Sequence, residues 1–172
     1  MPKIIQNARM QLLQEAKKQI SENGYAKTTI RSIAGKCGLA VGTVYNYFSS
    51  KDMLIASFLA EDWQACMGSI SAYPSENKKS LLYCIYKTLC DFSSRHQVLF
   101  SDVDAAKVYA AVFTERHKQL RDQLAECILP LCQEETVEQQ EFLSQFIAES
   151  LLTWTMAGTS FEEIYQVLQK LL

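Results

Sequence analysis

Apolar residues recur every three or four positions along almost the whole chain, and this spacing limits the possible folds more than any other feature of the sequence. Such a period places side chains on one face of an α-helix, whereas a half-buried strand alternates at every second residue. Only six glycines, three prolines and few β-branched runs interrupt the pattern. We therefore expect an all-α fold.

Glycine, proline and hydroxyl residues divide the helical pattern into segments. Gly24 is expected to end the first helix and Gly38 the second, because glycine tolerates the left-handed conformation that often follows a helix. The sequences T-V-E-Q, from Thr136, and S-F-E-E, from Ser160, match the capping box and predict the starts of the last two helices, with Gly158 as the hinge between them. The other predicted helices cover residues 4–22, 30–37, 40–48, 51–71, 79–96 and 104–128.

Charge is distributed unevenly along the chain, although the total is only −2. Residues 1–55 carry eight Lys and Arg against three acidic residues, a net charge of +5, while the remainder carries −7. A basic head on an acidic body is what binding of nucleic acid at one end of a protein requires. A charged face is also commonly just solvated, so the asymmetry alone is weak evidence.

Three residues near the N-terminus have the spacing of a helix-turn-helix. Ala34 is small enough for two helices to cross closely, Gly38 tolerates the positive φ of a tight turn, and Val44 anchors the second helix. With Leu39, Val44 and Phe48 directed inward, the pairs formed by residues 41 and 45, 42 and 46, and 43 and 47 are expected to face outward. Their hydroxyl, amide and aromatic groups suit contact with phosphates and base edges.

The stretch TTIRSIAGKCGLAVGTVYNYFSSKDML resembles the DNA-binding head of the TetR family of bacterial transcriptional regulators. The resemblance covers residues 5–60. It implies a three-helix head on residues 1–50, followed on residues 51–172 by a helical body that binds an effector and dimerises. The implied function is a ligand-responsive repressor that binds a palindromic double-stranded DNA operator as a homodimer.

The same resemblance assigns roles in DNA binding to individual residues. Thr29 and Arg31 are expected to meet the DNA backbone or a base edge, and Lys51 is expected to hold a phosphate at the start of the fourth helix. Because Ala40 replaces the family's usual serine and Val41 has no hydrogen-bond donor, sequence readout is expected to depend on Arg31, Asn46 and the shape of the DNA. The residues expected in the major groove are Val41, Gly42, Thr43, Tyr45 and Tyr47.

Two wide apolar stripes near the C-terminus predict a dimer. One helix of the body carries Leu143, Ile147, Leu151 and Trp154, with Phe142 and Phe146 on a neighbouring stripe, and the last helix carries Phe161, Ile164, Tyr165, Leu168, Leu171 and Leu172. Two such helices from each protomer would close a four-helix bundle. The alternative is that both stripes are used inside one body. The residues predicted at the interface are Leu143, Ile147, Leu151, Trp154, Phe161, Tyr165 and Leu168.

The middle helices are unusually rich in amphipathic and aromatic side chains, whose hydroxyls need partners. This composition predicts a cavity between residues 79–96 and 104–128 for a small lipophilic effector. The competing hypothesis is an oxidant sensor at Cys84 and Cys90, although six residues of separation prevents a disulfide within one regular helix. The predicted effector-binding residues are Tyr83, Tyr86, Phe92, Tyr109, Phe113 and Trp154.

Other classes of function find little support in the sequence. There is no catalytic motif, so we expect neither an enzyme nor a cofactor. His96 and His117 are interpreted as surface or pocket residues because no acidic or cysteine cluster joins them at metal-ligand spacing, and the six scattered cysteines as reduced core thiols. Without a signal peptide or a membrane span, a cytoplasmic protein is expected. The alternative to a regulator is a helical interaction module that has lost operator binding.

Overall fold

A computed structural model describes residues 7–74, 76–133 and 136–172, with the backbone alone for residues 106–116. These ranges are helical and contain no β-strand, which confirms the predicted all-α fold. The helices are α1 (Ala8–Lys27), α2 (Ile30–Lys36), α3 (Val41–Tyr45), α4 (Lys51–Ser71), α5 (Lys78–Arg95), α6 (Gln97–Phe100), α7 (Val103–Ile128), α8 (Val137–Met156) and α9 (Phe161–Leu168), and a 3-10 helix (Leu129–Cys132) follows α7.

Gly24 interrupts α1 at a sharp change of backbone direction. Its φ of 79° and ψ of 173° lie outside the helical region, and a positive φ of this kind is strained for a residue with a Cβ. The Thr28 hydroxyl donates to the Gly24 carbonyl oxygen at 2.8 Å. The regular helix therefore ends before Gly24, as predicted, and the residues after it form a separate turn that leads into α2.

The first of two compact units contains the described residues up to Trp63 together with His96–Ala111. Ion pairs join α1 to α4 at its surface, from Arg9 to Glu61 and from Lys17 Nζ to Asp62 Oδ1 at 2.6 Å. Exposed pairs of this kind contribute only about 0–1 kcal/mol each, so apolar packing supplies most of the stability. The core of this unit includes Leu12, Ala16, Ile20, Ile33, Val44, Phe48, Leu54, Ile55, Phe58 and Leu99.

His96 lies in the core of this first unit, which corrects its interpretation as a surface or pocket residue. Its ring is buried and packs against Phe58, with 5.9 Å between ring centroids, and its Nε2 lies 2.9 Å from Asp62 Oδ2. The sequence period carried α5 through His96, but α5 ends at Arg95 and α6 begins at Gln97. This break changes the direction of the side chain, so the periodicity could not place it.

The second unit contains Gln64–Arg95 and Val112–Leu172. Helix α8 packs against α5, α9 and the 3-10 helix, and α9 also packs against α5. The 3-10 helix contains Pro130 near its start, and α7 ends just before it because a proline cannot continue a regular α-helix. The fully or almost fully buried side chains of this unit include Leu82, Ile85, Leu124, Ile128, Ile147, Leu151 and Leu168.

The starts of α8 and α9 confirm both predicted capping boxes. Gln139 Oε1 accepts the Thr136 amide at 3.2 Å, and Glu163 Oε2 accepts the Ser160 amide at 3.1 Å. The Ser160 hydroxyl in turn accepts the Glu163 amide. These bonds to Ser160 lower the pKa of the Glu163 carboxyl, because they favour its ionised form.

Candidate nucleic-acid interface

The turn between α2 and α3 has the packing that a helix-turn-helix needs. Ile33 and Ala34 on α2 and Val44 on α3 are buried together in the core of the first unit. Gly38 in the turn has a φ of 65°, and the Leu39 amide donates to the Ala34 carbonyl oxygen at 2.9 Å. The close crossing therefore forms at the small residue and the glycine that the sequence singled out.

Helix α3 presents a polar and aromatic surface on the side opposite to this core. Tyr45 is 53% exposed, and Gly42 and Asn46 are exposed as well. Val41, Thr43 and Tyr47 are half-buried, with Val41 and Tyr47 packed against the core.

Two parts of the sequence interpretation of α3 need correction. The helix ends at Tyr45 instead of near Phe48, so the expected pairs of residues 42 with 46 and 43 with 47 do not share one regular helix. Val41 and Tyr47 do not face fully outward, because their side chains are half-buried and pack against the core of the first unit. The outward surface consequently centres on Gly42, Tyr45 and Asn46.

The start of α2 lies in the same helix-turn-helix and exposes two more of the predicted residues. Thr29 caps the helix by accepting the Ser32 amide at 3.0 Å, and Ser32 Oγ accepts the Thr29 amide at 3.1 Å. Ser32 also donates to Gln19 Oε1 at 2.6 Å, which ties this first turn to α1. Thr29 and Arg31 remain exposed, and Arg31 adds a positive charge to the surface.

Lys51 is placed differently from the other predicted DNA-binding residues. Its Nζ donates to the Tyr25 carbonyl oxygen at 2.9 Å and lies 3.6 Å from the centroid of the Tyr25 ring. The residue is half-buried, and this burial lowers the pKa of its ammonium group. Its charged end is thus directed towards α1.

Tyr25 and Asp52 are residues of this head that the sequence reasoning missed. The Tyr25 hydroxyl donates to Asp52 Oδ1 at 2.6 Å, next to the Lys51 contact. A tyrosine directly after a kinking glycine was a signal for a buried anchor, but nothing in the local pattern linked it to residues 26 and 27 positions later. Such pairings depend on tertiary packing.

The predicted effector-binding residues are only partly brought together. Tyr86 is half-buried, donates to the Thr159 carbonyl oxygen at 3.1 Å and packs against Phe161, while Phe92 is also half-buried. Tyr83 and Trp154 are 50% and 55% exposed, so they do not line an enclosed cavity of the second unit, because their helix faces are turned to solvent. The side chains of Tyr109 and Phe113 lie outside the described residues.

The predicted dimer residues fall into two groups. Ile147, Leu151, Phe161 and Leu168 are buried inside the second unit, where α8 packs on α5 and α9, so they are core residues and not surface residues for a partner. Leu143 and Tyr165 are half-buried and Trp154 is exposed. The exposed aromatic residues of α8 are instead Phe142, Phe146 and Trp154.

Candidate metal ligands and cysteines are scattered over the described part of the chain. No group of three or more His, Cys, Asp or Glu in it is arranged to hold a metal ion. His117 Nε2 lies 3.0 Å from both carboxylate oxygens of Glu149. All six cysteines lie in the described ranges and none is in a disulfide, but only Cys66 and Cys132 are buried, as core thiols were expected to be. None of the described helices is long and apolar enough to cross a bilayer.

Comparison with known proteins finds sequence similarity mainly in the head and structural similarity over nearly the whole chain. The family model "Bacterial regulatory proteins, tetR family" matches residues 12–58, which includes α2, α3 and the start of α4. The Fatty acid metabolism regulator protein of Bacillus subtilis (strain 168) is 28% identical over 119 residues. This alignment covers 69% of the chain but only 59% of that relative, so the chain spans about three fifths of its length.

Solved structures share the fold over nearly the full chain. A TetR transcription regulator from Haloarcula marismortui superposes with a TM-score of 0.66 at 18% identity, covering 96% of both chains. Thermus thermophilus FadR, a TetR-family repressor crystallised with lauroyl-CoA, superposes with a TM-score of 0.62 at 19% identity, covering 95% of this chain and 92% of that one. The helix-turn-helix head of this chain therefore matches that of the TetR family of bacterial transcriptional regulators, and its helical fold is the one seen in solved structures of such regulators.

Proposed function

We propose that the protein is a transcriptional regulator that binds a near-palindromic DNA operator as a dimer and is released by a small lipophilic effector. The observation that carries this proposal is the contrast on α3, where Val44 is fully buried while its neighbour Tyr45 is 53% exposed. A merely solvated face would favour Glu and Lys, whereas hydroxyl, amide and aromatic groups suit a DNA groove. The net charge of +5 on residues 1–55 favours the same partner.

The proposed operator contacts follow from exposure and residue type. Arg31 and Asn46 supply hydrogen-bond donors for base edges, and the exposed Gly42 permits close approach of the backbone. Residues 1–50 form the proposed DNA-binding domain, and residues 51–172 the proposed effector and dimerisation domain. The proposed contact residues are Thr29, Arg31, Val41, Gly42, Thr43, Tyr45, Asn46 and Tyr47.

A second copy of the chain is the proposed occupant of the exposed aromatic surface of α8. Phe142 and Phe146 are one turn apart and their rings stack, with 6.4 Å between centroids, while 73% and 46% of their surfaces are exposed. An open groove at this place is lined by the apolar Phe142, Leu143 and Leu171 and by the polar Glu138, Gln139 and Lys170. Two-fold pairing of this face would bury the rings and give the two heads that a palindromic operator needs.

Fatty acyl thioesters are the first effectors to test. Similarity to a fatty acid metabolism regulator and to a repressor crystallised with lauroyl-CoA supports this class, and Tyr86 and Phe92 supply half-buried aromatic surface in the body. An effector can release the operator only through different affinities for the DNA-binding and released states. We propose no catalytic role, and we propose a cytoplasmic location because the proposed operator is a site on bacterial DNA.

Selection of duplexes from a random DNA library, followed by fluorescence anisotropy, tests the proposal. We expect enrichment of a near-palindrome whose half-sites are about one helical turn apart or slightly more. Lauroyl-CoA should then release the selected duplex, while coenzyme A alone serves as the matched control. Binding without any sequence enrichment would instead favour the interaction module that has lost specific operator recognition.

A further inference from the structure

We propose that Lys51 is a positioning residue of the DNA-reading head and not a phosphate ligand, because with Asp52 it holds Tyr25 and so fixes where α2 begins. We call these three residues the tyrosine clasp. The inference deepens the proposed DNA-binding function and rests on it. It also makes a prediction for the free protein that needs no DNA.

In the clasp, Lys51 and Asp52 contact the backbone, the ring and the hydroxyl group of Tyr25. Lys51 Nζ donates to the Tyr25 carbonyl oxygen at 2.9 Å and lies 3.6 Å from the ring centroid, within the range of a cation–π contact. The Tyr25 hydroxyl donates to Asp52 Oδ1 at 2.6 Å. Two consecutive residues of the first turn of α4 therefore hold one residue of α1 from both ends.

Burial and neighbouring charges act on the protonation of the Tyr25 phenol and of the Lys51 ammonium. Burial and then the hydrogen bond to Asp52 raise the pKa of the Tyr25 phenol, so it remains a donor throughout the neutral range. Burial lowers the pKa of the Lys51 ammonium, but the carboxylates of Asp52 and Asp102 act in the opposite direction and favour its charged form. The clasp is thus an arrangement of a neutral phenol, a cation and an anion.

The backbone before Tyr25 explains why such a clasp is needed. Gly24, with φ of 79° and ψ of 173°, has no side chain to restrict its rotation, so contacts further along the chain must set the direction of the turn. The Tyr25 carbonyl oxygen also accepts the Thr28 amide at 3.3 Å, and Thr29 then caps α2. Holding Tyr25 consequently fixes the exposed start of α2, including Arg31.

The position of the Lys51 ammonium argues against a role as a phosphate ligand. A phosphate ligand presents its charge to solvent, whereas this ammonium lies on an aromatic face and against a carbonyl group inside the first unit. One of its three donor hydrogens is used by the Tyr25 carbonyl oxygen and the ring covers another side, which leaves less of the ammonium for a phosphate. A phosphate ligand and a positioning residue differ in their effect on salt dependence. Log affinity falls with log salt concentration, and each phosphate that the protein neutralises makes this negative slope steeper by about 0.9.

The experiment compares four variants with the wild-type protein. Lys51→Met removes the ammonium, and Tyr25→Phe removes the hydroxyl without changing any charge. Lys51→Arg keeps a cation that can donate to the carbonyl and stack on the ring. Lys18→Met, on the exposed surface of α1, is the matched control for the loss of one positive charge from the head.

Hydrogen exchange in the free protein is the first measurement. The Ser32 and Ile33 amides donate to the Thr29 side chain and carbonyl group, so they report the first turn of α2. We expect both to exchange about tenfold faster in Lys51→Met and Tyr25→Phe, because each variant loses one of the partly buried hydrogen bonds that hold the turn. Lys51→Arg should restore protection, and Lys18→Met should leave it unchanged.

Anisotropy with the selected duplex at several salt concentrations is the second measurement. We expect Lys51→Met and Tyr25→Phe to bind about tenfold more weakly, with the salt slope of Lys51→Met equal to that of Lys18→Met. The proposal would be overturned if the salt slope of Lys51→Met were shallower than that of Lys18→Met by about 0.9 while the exchange of Ser32 and Ile33 stayed unchanged. Lys51 would then be a phosphate ligand.

The two measurements separate failure of the clasp from failure of the proposed function. If no duplex is selected by the wild-type protein but exchange of Ser32 and Ile33 accelerates in both clasp variants, the DNA-binding proposal fails while the clasp is supported. If exchange stays at the wild-type rate in Tyr25→Phe and Lys51→Met, the clasp is refuted whatever the DNA result.

Discussion

At the scale of single residues, adjacent positions of the head have opposite environments. Val44 is fully buried beside Ala34, while Tyr45 extends from the next position into solvent. Burial of Val44 stabilises the unit through its apolar surface, but an exposed tyrosine ring contributes little to folding. Tyr45 is therefore the residue at which operator binding and stability are expected to separate most clearly.

Tyr45→Ala should weaken binding of the selected operator by about 1–3 kcal/mol and binding of an unrelated duplex by less, because a specific contact is lost. Its midpoint of thermal unfolding should stay at the wild-type value. Anisotropy with both duplexes measures the effect, and Tyr73→Ala, an exposed tyrosine after α4, is the control. Equal affinity of Tyr45→Ala and the wild-type protein would remove Tyr45 from the proposed interface.

At the scale of the element, local chemistry sets the start of α9. Ser160 donates its amide and hydroxyl hydrogens to Glu163 Oε2, and these bonds lower the pKa of the Glu163 carboxyl. A carboxyl whose pKa is lower in the folded state stabilises the fold above its unfolded pKa. That stabilisation is lost as the pH falls through the folded pKa.

Ser160→Ala should raise the pKa of the Glu163 carboxyl towards its ordinary value, because the hydroxyl bond that favours the anion is lost. A titration followed by nuclear magnetic resonance measures this change. The control is Ser150→Ala on α8, whose hydroxyl donates to the Phe146 carbonyl oxygen and does not meet Glu163. A Glu163 titration that is the same in both variants would contradict the assigned cap.

The connection between α8 and α9 depends on Gly158, which has a φ of 81°. Gly158→Ala should lower the free energy of unfolding by about 1 kcal/mol, because a Cβ is strained at positive φ although space is available. Gly68→Ala, inside α4 and equally open, should instead raise this free energy by about 0.5–1 kcal/mol. Urea denaturation distinguishes the two, and changes of the same sign would contradict the backbone argument.

At the scale of the whole molecule, the proposed dimer follows from what one protomer leaves exposed. The stripe of Phe142, Phe146 and Trp154 is unusual for a solvated helix face, since apolar area removed from water contributes about 25 cal/mol per Å². A partner that covers these rings would give a stable pair. The dimer would also set the distance between the two proposed DNA-binding domains.

Phe142→Glu should convert the protein to a monomer at micromolar concentration, because a carboxylate would be buried opposite its own copy. Sedimentation velocity measures the mass, and affinity for the full palindrome should fall towards that for one half-site. Val103→Glu, at the exposed start of α7, is the control. A wild-type monomer that binds the palindrome with full affinity would contradict the dimer.

The local sequence by itself determined the helical class, the caps of α8 and α9 and the helix-turn-helix, although not the end of α3 or the break between α5 and α6. Residues within four positions of each other decide these features: Ser160 with Glu163, Thr136 with Gln139, and Ala34 with Gly38. The exposure of Tyr45 followed in the same way from the burial of Val44 and Phe48. Local hydrogen bonds and the helical period depend only on residues that are near each other in sequence, so they can be predicted without the rest of the fold.

Only the tertiary structure decided which surfaces these helices present and which distant residues meet. Periodicity defines the two stripes of α8 but not which one faces the core, and packing against α5 and α9 turned Ile147 and Leu151 inward and left Phe142 and Phe146 outside. Likewise, Lys51 meets Tyr25 across 26 positions of sequence. Such contacts depend on the path of the whole chain. A local sequence pattern does not indicate which distant residue will pack against a given side chain.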